Sequence, residues 1–524
     1  MVRDGLVLAT VLLPGVVSPA VLLARGRAVR GLGLAGTGVA VALLVLSGGF
    51  AVVVARHGAV EAVVVARHGT VWLGLVVDRL AALLLILIMT VSATAQGFAG
   101  RYLAGDRGRR RFIAATGLLT MGCAVLATGA TLVTVAAGWT LAGAGLVLLL
   151  RVYPRLAPAR AGARQALRTF AVGDGALWVA VGAATIRWGS VDLRHGLPAQ
   201  AAGDRGWAAA VAGLIVVAAL TRCAQVPWHR WLPASLSAPT PVSALLHAGA
   251  VNGGGVLLVR LTPITGAAPA VLYLAVAAGA VSLVYGTSMM LLRADVKGGL
   301  AYSTTGQMGF MMMTAGLGWP ALTVFHIVAH GLYKATLFLG SGYAVRSAVR
   351  ATAAAPPPAM TWRRRTLGAV VAVAAAAGVT AAEAWRPYPG GAVLAVFVWA
   401  CVTALGLGWL RRRATPAAAL GVVAAVAAAA FAYVAAAHAV TTFLALPGGA
   451  PPAAGAVVAV VAGVSLIAAL LRHRAGGPLA AWHKAAYVNL LVSGRGDRPR
   501  PAAGRTAAAV VRRTADPIAV GTPS

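Results

Sequence analysis

The 524-residue chain holds three lysines, Lys297, Lys334 and Lys484, and places one of them inside an apolar stretch. Lys334 sits in FHIVAHGLYKATLFLG (325–340), with His330 and His326 one and two i−4 steps before it. An ammonium at bilayer depth costs about 2.5–3.5 kcal/mol. Arginine keeps its charge in such a place, whereas a buried lysine can release its proton near neutral pH. The residue type therefore points to a proton or cation relay. On a helix the three side chains form one stripe rising about 6 Å per step, a spacing that bridging water can span. His326 and His330 could also hold a metal at helical spacing, but no carboxylate or cysteine accompanies them, and no metal or cofactor is expected in this chain.

A second concentration of chemistry lies in VPWHRWLPASLSAPTPVSALLHAG (226–249). Proline removes backbone donors, so Pro227, Pro233, Pro239 and Pro241 predict a helix broken near 224–227. Broken helices accompany ion sites because freed carbonyls and helix ends can face a cavity. His247 falls two turns into the next helix, and Ser243, one turn earlier, could hold its imidazole or a water. Further ionisable residues within spans are Asp174, Arg222 and, near a helix end, Glu383. Arg222 reads either as part of a cation path or as a structural counter-charge to Asp174. NGGG (252–255) reads as close helix contact or local flexibility, GLGLAG (31–36) as helix packing, and Met308 and Met311 to Met313 as packing.

The elements that must position these residues are membrane helices. The chain is 60% hydrophobic and 10% charged, and stretches near the roughly 20 residues needed to span hydrocarbon recur from end to end. Fifteen are read, with a range of thirteen to fifteen: 5–24, 31–54, 76–99, 112–129, 131–150, 170–187, 207–234, 236–260, 269–292, 299–318, 321–345, 367–384, 391–410, 416–438 and 455–471. The fold class is an all-α polytopic membrane protein. The formal charge of +33 would suggest nucleic acid in a soluble protein. Here the arginines cluster at 25–30, 101–111, 151–168, 346–365, 411–413 and 472–474, all on one side of these spans. The positive-inside rule then places the N-terminus outside and the C-terminus in the cytoplasm of a plasma (inner) membrane protein. N-terminal helices occupy 1–75, a core 76–410 and further helices 411–472. An interfacial helix (478–494) and a basic tail complete 473–524. AVVVARHG occurs twice, at 51–58 and 62–69, as a duplication in an outside loop with no function attached. Cys123, Cys223 and Cys401 lack ligand spacing and read as small core residues.

VPWHRWLPASLSAPTPVSALLHAG, ADVKGGLAYSTTGQMGFMMM (294–313) and FHIVAHGLYKATLFLG together resemble the antiporter-like membrane subunits shared by respiratory complex I and multisubunit cation/proton antiporters. VDRLAALLL (77–85) and AVGDGALWVA (171–180) extend the resemblance over about 75–345. It implies two inverted five-helix repeats with broken helices, each a half-channel, joined by a central polar axis. It also implies that Lys334 is the central lysine, approached through His330 and His326, with His247 the histidine after the broken helix. Arg222 falls where the family has a lysine, and Asp174 matches an acidic residue beside it. Three departures stand out. Thr140 follows Trp139 where a glutamate is usual, arginine replaces lysine at 222, and the twelfth span has no lysine.

Within the group, HAGAVNGGGVLLVRLTPI (247–264) is similar to the membrane-subunit branch of DAB inorganic carbon accumulation systems. That likeness implies a chain that conducts H+ or Na+ and is itself no enzyme. Its flow would energise CO2/bicarbonate accumulation by the large cytoplasmic zinc-binding partner of such systems, a carbonic anhydrase-like protein that would carry the zinc. The alternative is a proton-pumping subunit of a respiratory or hydrogenase complex, or of a multisubunit antiporter. A non-conducting scaffold is a third reading, motivated by Thr140 and Arg222.

Overall fold

Backbone amides and carbonyls find no water in hydrocarbon, so long apolar stretches satisfy them internally as helices. The computed structural model describes residues 2–341 except 25, 68–69, 196–203 and 294, scattered residues of 366–399, and 416–446. The stretches expected at 367–384 and 391–410 are thus described only in part. The one at 455–471, the interfacial helix, the tail, Glu383 and Cys401 lie outside the described residues.

The chain opens with α1 (Val2–Leu23) and α2 (Arg27–His57), then a hairpin of β1 (Val60–Arg67) and β2 (Thr70–Val77). Next come α3 (Arg79–Tyr102), α4 (Arg109–Thr128), α5 (Leu132–Leu150), α6 (Ala157–Trp188) and α7 (Arg205–Arg222). After a run of short turns follow α8 (Thr240–Ala248), α9 (Gly253–Arg260), α10 (Pro269–Leu292), α11 (Val296–Gly316) and α12 (Pro320–Leu339). The last described helix is α13 (Pro416–Leu444). Among the described residues eleven helices are long and apolar enough to cross a membrane, α8 and α9 counting as one. α11 is not among them, because it carries Ser303, Thr304, Thr305 and Gln307 along its length. The count of fifteen extends past the described residues and remains an expectation.

The all-α expectation needs one correction. The second copy of AVVVARHG does not lie in a loop but forms most of β1, pairing antiparallel with β2 from Val60↔Val77 to Arg67↔Thr70. The first copy is the last two turns of α2, which stops at Gly58 with φ 83, a conformation that suits glycine. A valine run is tolerated in a helix and favoured in a strand, so the surroundings decide. β2 buries its end against the bundle, with Val77 fully buried.

Helices pack closely where glycines remove side chains. A Cβ at Gly122 or Gly138 would strike the backbone of Ala142 or Leu126 across the α4–α5 contact, and Gly279 and Gly309 play the same part between α10 and α11. This is the packing mode of membrane helices, where no hydrophobic drive separates helix from lipid. Two of the three GLGLAG glycines pack as expected, Gly33 against Ile113 and Gly36 against Gln96, while Gly31 faces open space. The four methionines of α11 are fully buried.

Both breaks in the bundle matter for the site. α7, expected to run to 234 with an interruption, ends at Arg222. Ala224 takes φ 50 and the Val226–Pro227 peptide is cis. Residues 228–237 then fold into single turns against α6, where Phe170 meets Trp231 edge to face at 4.9 Å. Pro241 occupies the first turn of α8, the one place a helix accepts it freely. The second break, between α8 and α9 at 249–252, was not expected. There NGGG serves contact: a Cβ at Gly254 would collide with the Ala219 carbonyl and the Cys223 sulfur, and one at Gly255 with Met311.

Candidate relay site

Lys334 is fully buried on α12. Its Nζ donates to the Leu300 carbonyl at 3.2 Å and to Ser303 Oγ at 3.0 Å. Among the described residues none of its partners is a carboxylate. One turn earlier, His330 Nε2 lies 3.1 Å from the His247 carbonyl, which sits just before the break after α8. His247 is fully buried. Its Nδ1 meets Thr304 Oγ1 at 3.1 Å, and its ring stacks on Phe338 with centroids 4.2 Å apart. His326 stacks on His330 at 5.6 Å and meets Phe310 edge to face at 5.1 Å. Three elements, α8, α11 and α12, thus bring Lys334, His330, His326 and His247 into one cluster. One nitrogen of each histidine, Nε2 of His247, Nδ1 of His330 and Nε2 of His326, is buried without a hydrogen-bond partner. Clustered imidazoles are groups that can take up and release protons near neutral pH.

Ser243 does not serve the imidazole as expected. Its hydroxyl faces the Pro239 carbonyl of its own helix at 3.5 Å, and Thr304 takes the place beside His247. Sequence reasoning missed Thr304 and Ser303, although STTGQ inside a span was a visible polar signal. A lone spacing rule along one helix could not reveal that α11 faces α8.

Arg222 and Asp174 form a separate cluster. Arg222 Nη2 donates to Asp174 Oδ1 at 2.9 Å and Nη1 to the Trp139 carbonyl at 3.3 Å. The guanidinium lies 4.2 Å from the Trp139 ring centre and 4.3 Å from that of Phe170. Gly143 makes room, since a Cβ there would stand 2.7 Å from Nη2. Thr140 lies outside this pair, its hydroxyl accepting from Trp178 Nε1 at 3.0 Å. A cavity of about 60 Å³ beside Arg222 is lined mostly by apolar side chains, together with Thr120, Cys123 and, from the second break, Gly249 and Asn252; none of Lys334, His330, His326 or His247 lines it. Pro227 keeps α7 short without touching either cluster. Among the described residues no three His, Cys, Asp or Glu side chains converge as a metal centre would require, and Cys123 and Cys223 are free thiols.

Two family models match this chain. Residues 130–382 match the NADH:quinone oxidoreductase/Mrp antiporter transmembrane family, and 66–113 the N-terminus of chain 5 of NADH-ubiquinone oxidoreductase (complex I), together somewhat more than half the chain. The chain belongs to the antiporter-like membrane subunits. Among relatives of this antiporter-like subunit, a probable inorganic carbon transporter subunit DabB1 of Halothiobacillus neapolitanus is 34% identical over 283 residues, 53% of this chain and 51% of the relative. Subunit 5 of the chloroplast NAD(P)H-quinone oxidoreductase of Draba nemorosa is 33% identical over 283 residues, 52% of this chain and 38% of the relative. The matched region thus spans about half of the first relative and less of the second. In fold, the subunit resembles a chain of the Mrp complex from Dietzia sp. DQ12-45-1b, with TM-score 0.58, 22% identity, and coverage of 95% of this chain and 60% of that one. It also resembles one from an archaeal membrane-bound sulfane sulfur reductase, with TM-score 0.58, 15% identity, and coverage of 90% and 95%.

A second polar concentration at the opposite end of α9 was not anticipated. Arg260 pairs with Asp78 and donates to the Gly129 carbonyl at 3.1 Å, while Asp78 Oδ1 caps α3 through Ala81 N at 2.8 Å. Nearby, Arg194 bridges Glu61 of β1 and Asp192 of the loop after α6. Burial alone would raise the Asp192 carboxyl, but the hydrogen bonds and charge of Arg194 outweigh it and hold the group below the ordinary carboxylate range. These bonds fasten the hairpin to the ends of α3, α6 and α9.

Proposed function

We propose that this antiporter-like protein conducts H+ or Na+ through the Lys334 cluster. The flow energises inorganic carbon accumulation by a large cytoplasmic zinc-binding partner of carbonic anhydrase type. The observation that carries the conduction reading is the setting of Lys334, a fully buried cation held by a carbonyl and a hydroxyl. Neutral partners leave the amine free to exchange a proton, where a buried carboxylate would pin its charge. His330 and His247 offer the next acceptors. Arg222 acts differently: it stays charged and anchors Asp174, so the first half of the chain contributes a fixed charge.

The carbon-accumulating assignment is supported by the departures at Thr140 and Arg222 from a complex I-type pattern, together with the likeness to a DabB1 subunit. The near-equal identity to quinone oxidoreductase subunit 5 favours a second reading, a proton-pumping subunit of a respiratory or antiporter complex. The deciding experiment is growth of a carbonic anhydrase-deficient host in ambient air, with this chain expressed alone and together with a large zinc-binding protein of the proposed type. Rescue by the pair only, abolished by Lys334→Ala with the variant still in the membrane, is the expected result. No rescue despite confirmed co-assembly refutes the carbon role, and full rescue by Lys334→Ala refutes the relay.

A further inference from the structure

Thr304 has one hydroxyl hydrogen, and two neighbours compete for it. Its Oγ1 lies 2.9 Å from the Leu300 carbonyl and 3.1 Å from His247 Nδ1. The carbonyl has no hydrogen to give, so that contact exists only with Thr304 as donor. The same oxygen then has only lone pairs left for His247, and the imidazole must donate from Nδ1. We infer that Thr304 fixes the tautomer of His247, making it a one-sided proton acceptor that takes and returns protons through Nε2. This deepens the relay reading and rests on it.

Three further observations agree. Nε2, the nitrogen left with a lone pair in the neutral ring, is buried without a hydrogen-bond partner. The ring cannot turn over to exchange the two nitrogens freely, since Phe338 stacks on it nearly parallel, with an interplanar angle of 11°. His330 is fixed by the same logic in the opposite sense. Its Nε2 faces the His247 carbonyl at 3.1 Å and must donate, which leaves its lone pair on the buried, unpartnered Nδ1.

Two consequences follow for proton transfer. When His247 accepts a proton at Nε2, its other hydrogen stays on Nδ1, donated to Thr304 Oγ1, because the threonine hydrogen is committed to a carbonyl that cannot take it up as a proton. The proton therefore leaves by the nitrogen through which it came, and His247 stores charge without passing it across the ring. The Leu300 carbonyl also accepts from Lys334 Nζ at 3.2 Å, so the residue that sets the histidine and the lysine share one oxygen. Thr304 is thus a positioning residue, coupled to Lys334 without touching it.

The test is nitrogen-15 magnetic resonance of histidine-labelled full-length protein in liposomes, with the His247 signal assigned by its loss in His247→Gln. Neutral His247 is expected wholly as the Nδ1–H tautomer in the unmodified protein and in Thr304→Ser. Thr304→Val, which keeps the shape and removes the hydroxyl, is expected to admit the Nε2–H tautomer. It should slow cation flux about tenfold, the worth of one hydrogen bond, and serine should restore both. An Nε2–H tautomer in the unmodified protein overturns the inference, and needs no variant to fold. So does an unchanged tautomer in Thr304→Val, whatever happens to flux. Absence of flux in the unmodified protein refutes the relay reading alone, because the tautomer is read separately.

Discussion

Arg222 and Lys334 are both buried basic residues, and their partners differ in kind. Lys334 meets two neutral oxygens. Arg222 meets a carboxylate and a carbonyl, and lies between two aromatic rings. A planar guanidinium suits that slot, and desolvated cation–π contacts are worth about 2 kcal/mol. An ammonium keeps the charge but can neither stack on both rings nor donate in two fixed directions. Arg222→Lys is therefore expected to lower stability by about 1–3 kcal/mol, read as a drop in thermal unfolding of the purified protein. Unchanged stability with unchanged uptake would remove the structural assignment and return Arg222 to the cation path.

At the scale of elements, the end of α7 and the break between α8 and α9 are built against each other. Cys223 Sγ donates to the Val251 carbonyl at 3.1 Å, Trp231 Nε1 satisfies the Thr221 carbonyl at 3.0 Å, and Asn252 Nδ2 the Ala248 carbonyl at 2.8 Å. The breaks thus satisfy freed backbone groups by side chains, as non-helical backbone at membrane depth must. Their contact depends on Gly254, whose α-hydrogens face the α7 backbone. Gly254→Val should force the two breaks apart and destabilise by about 1–3 kcal/mol, with loss of monodisperse protein on size exclusion. Gly213→Ala on α7, where a Cβ would meet only Val271 at 3.8 Å, should purify normally. Equal behaviour of the two variants would refute the packing argument.

Across the molecule, connections gather at opposite ends. The hairpin, the α4–α5 junction and the loop after α6 meet at one end through the Leu75–Gly129 and Thr131–Asp192 bridges. The end of α13 joins them, its Phe443 carbonyl accepting from Arg79 at 3.2 Å. At the other end Arg110 reaches the Ala24 carbonyl and Arg111 that of Val152, at 3.3 and 3.4 Å. Three arginine-rich connections are thereby collected on one face. The positive-inside rule would put that face in the cytoplasm, where the proposed partner would dock. In intact cells, cysteine at exposed Glu61 should react with a membrane-impermeant thiol reagent, and cysteine at exposed Arg107 only after lysis. The reverse pattern would invert the orientation and exclude a cytoplasmic partner on the arginine face.

What the sequence determined by itself follows from local sums. Hydropathy over about 20 residues depends on no distant contact, so α1 to α5, α10, α11 and the start of α12 fall within a few residues of their expected places. By contrast α6 begins at Ala157 rather than 170, because Arg160, Arg164 and Arg168 lower the hydropathy of a stretch that is still helical, and α7 stops at Arg222 rather than 234. A lysine in an apolar span is conspicuous for the same reason, and the i, i+4 stripe of His326, His330 and Lys334 needs only helical geometry. The prolines announced the end of α7. The break after His247 had no proline to announce it, and glycines signal contact as readily as flexibility. The two copies of AVVVARHG make the limit plain, since one sequence became the end of a helix and a strand. The Arg222–Asp174 pair joins residues 48 apart and the His247–Thr304 pair residues 57 apart. The sequence left Asp174 open as the counter-charge of Arg222 and packing decided for it, while packing alone put Thr304 rather than Ser243 beside His247. The energy of a buried polar group is set by the neighbour that replaces water, and that neighbour comes from another helix.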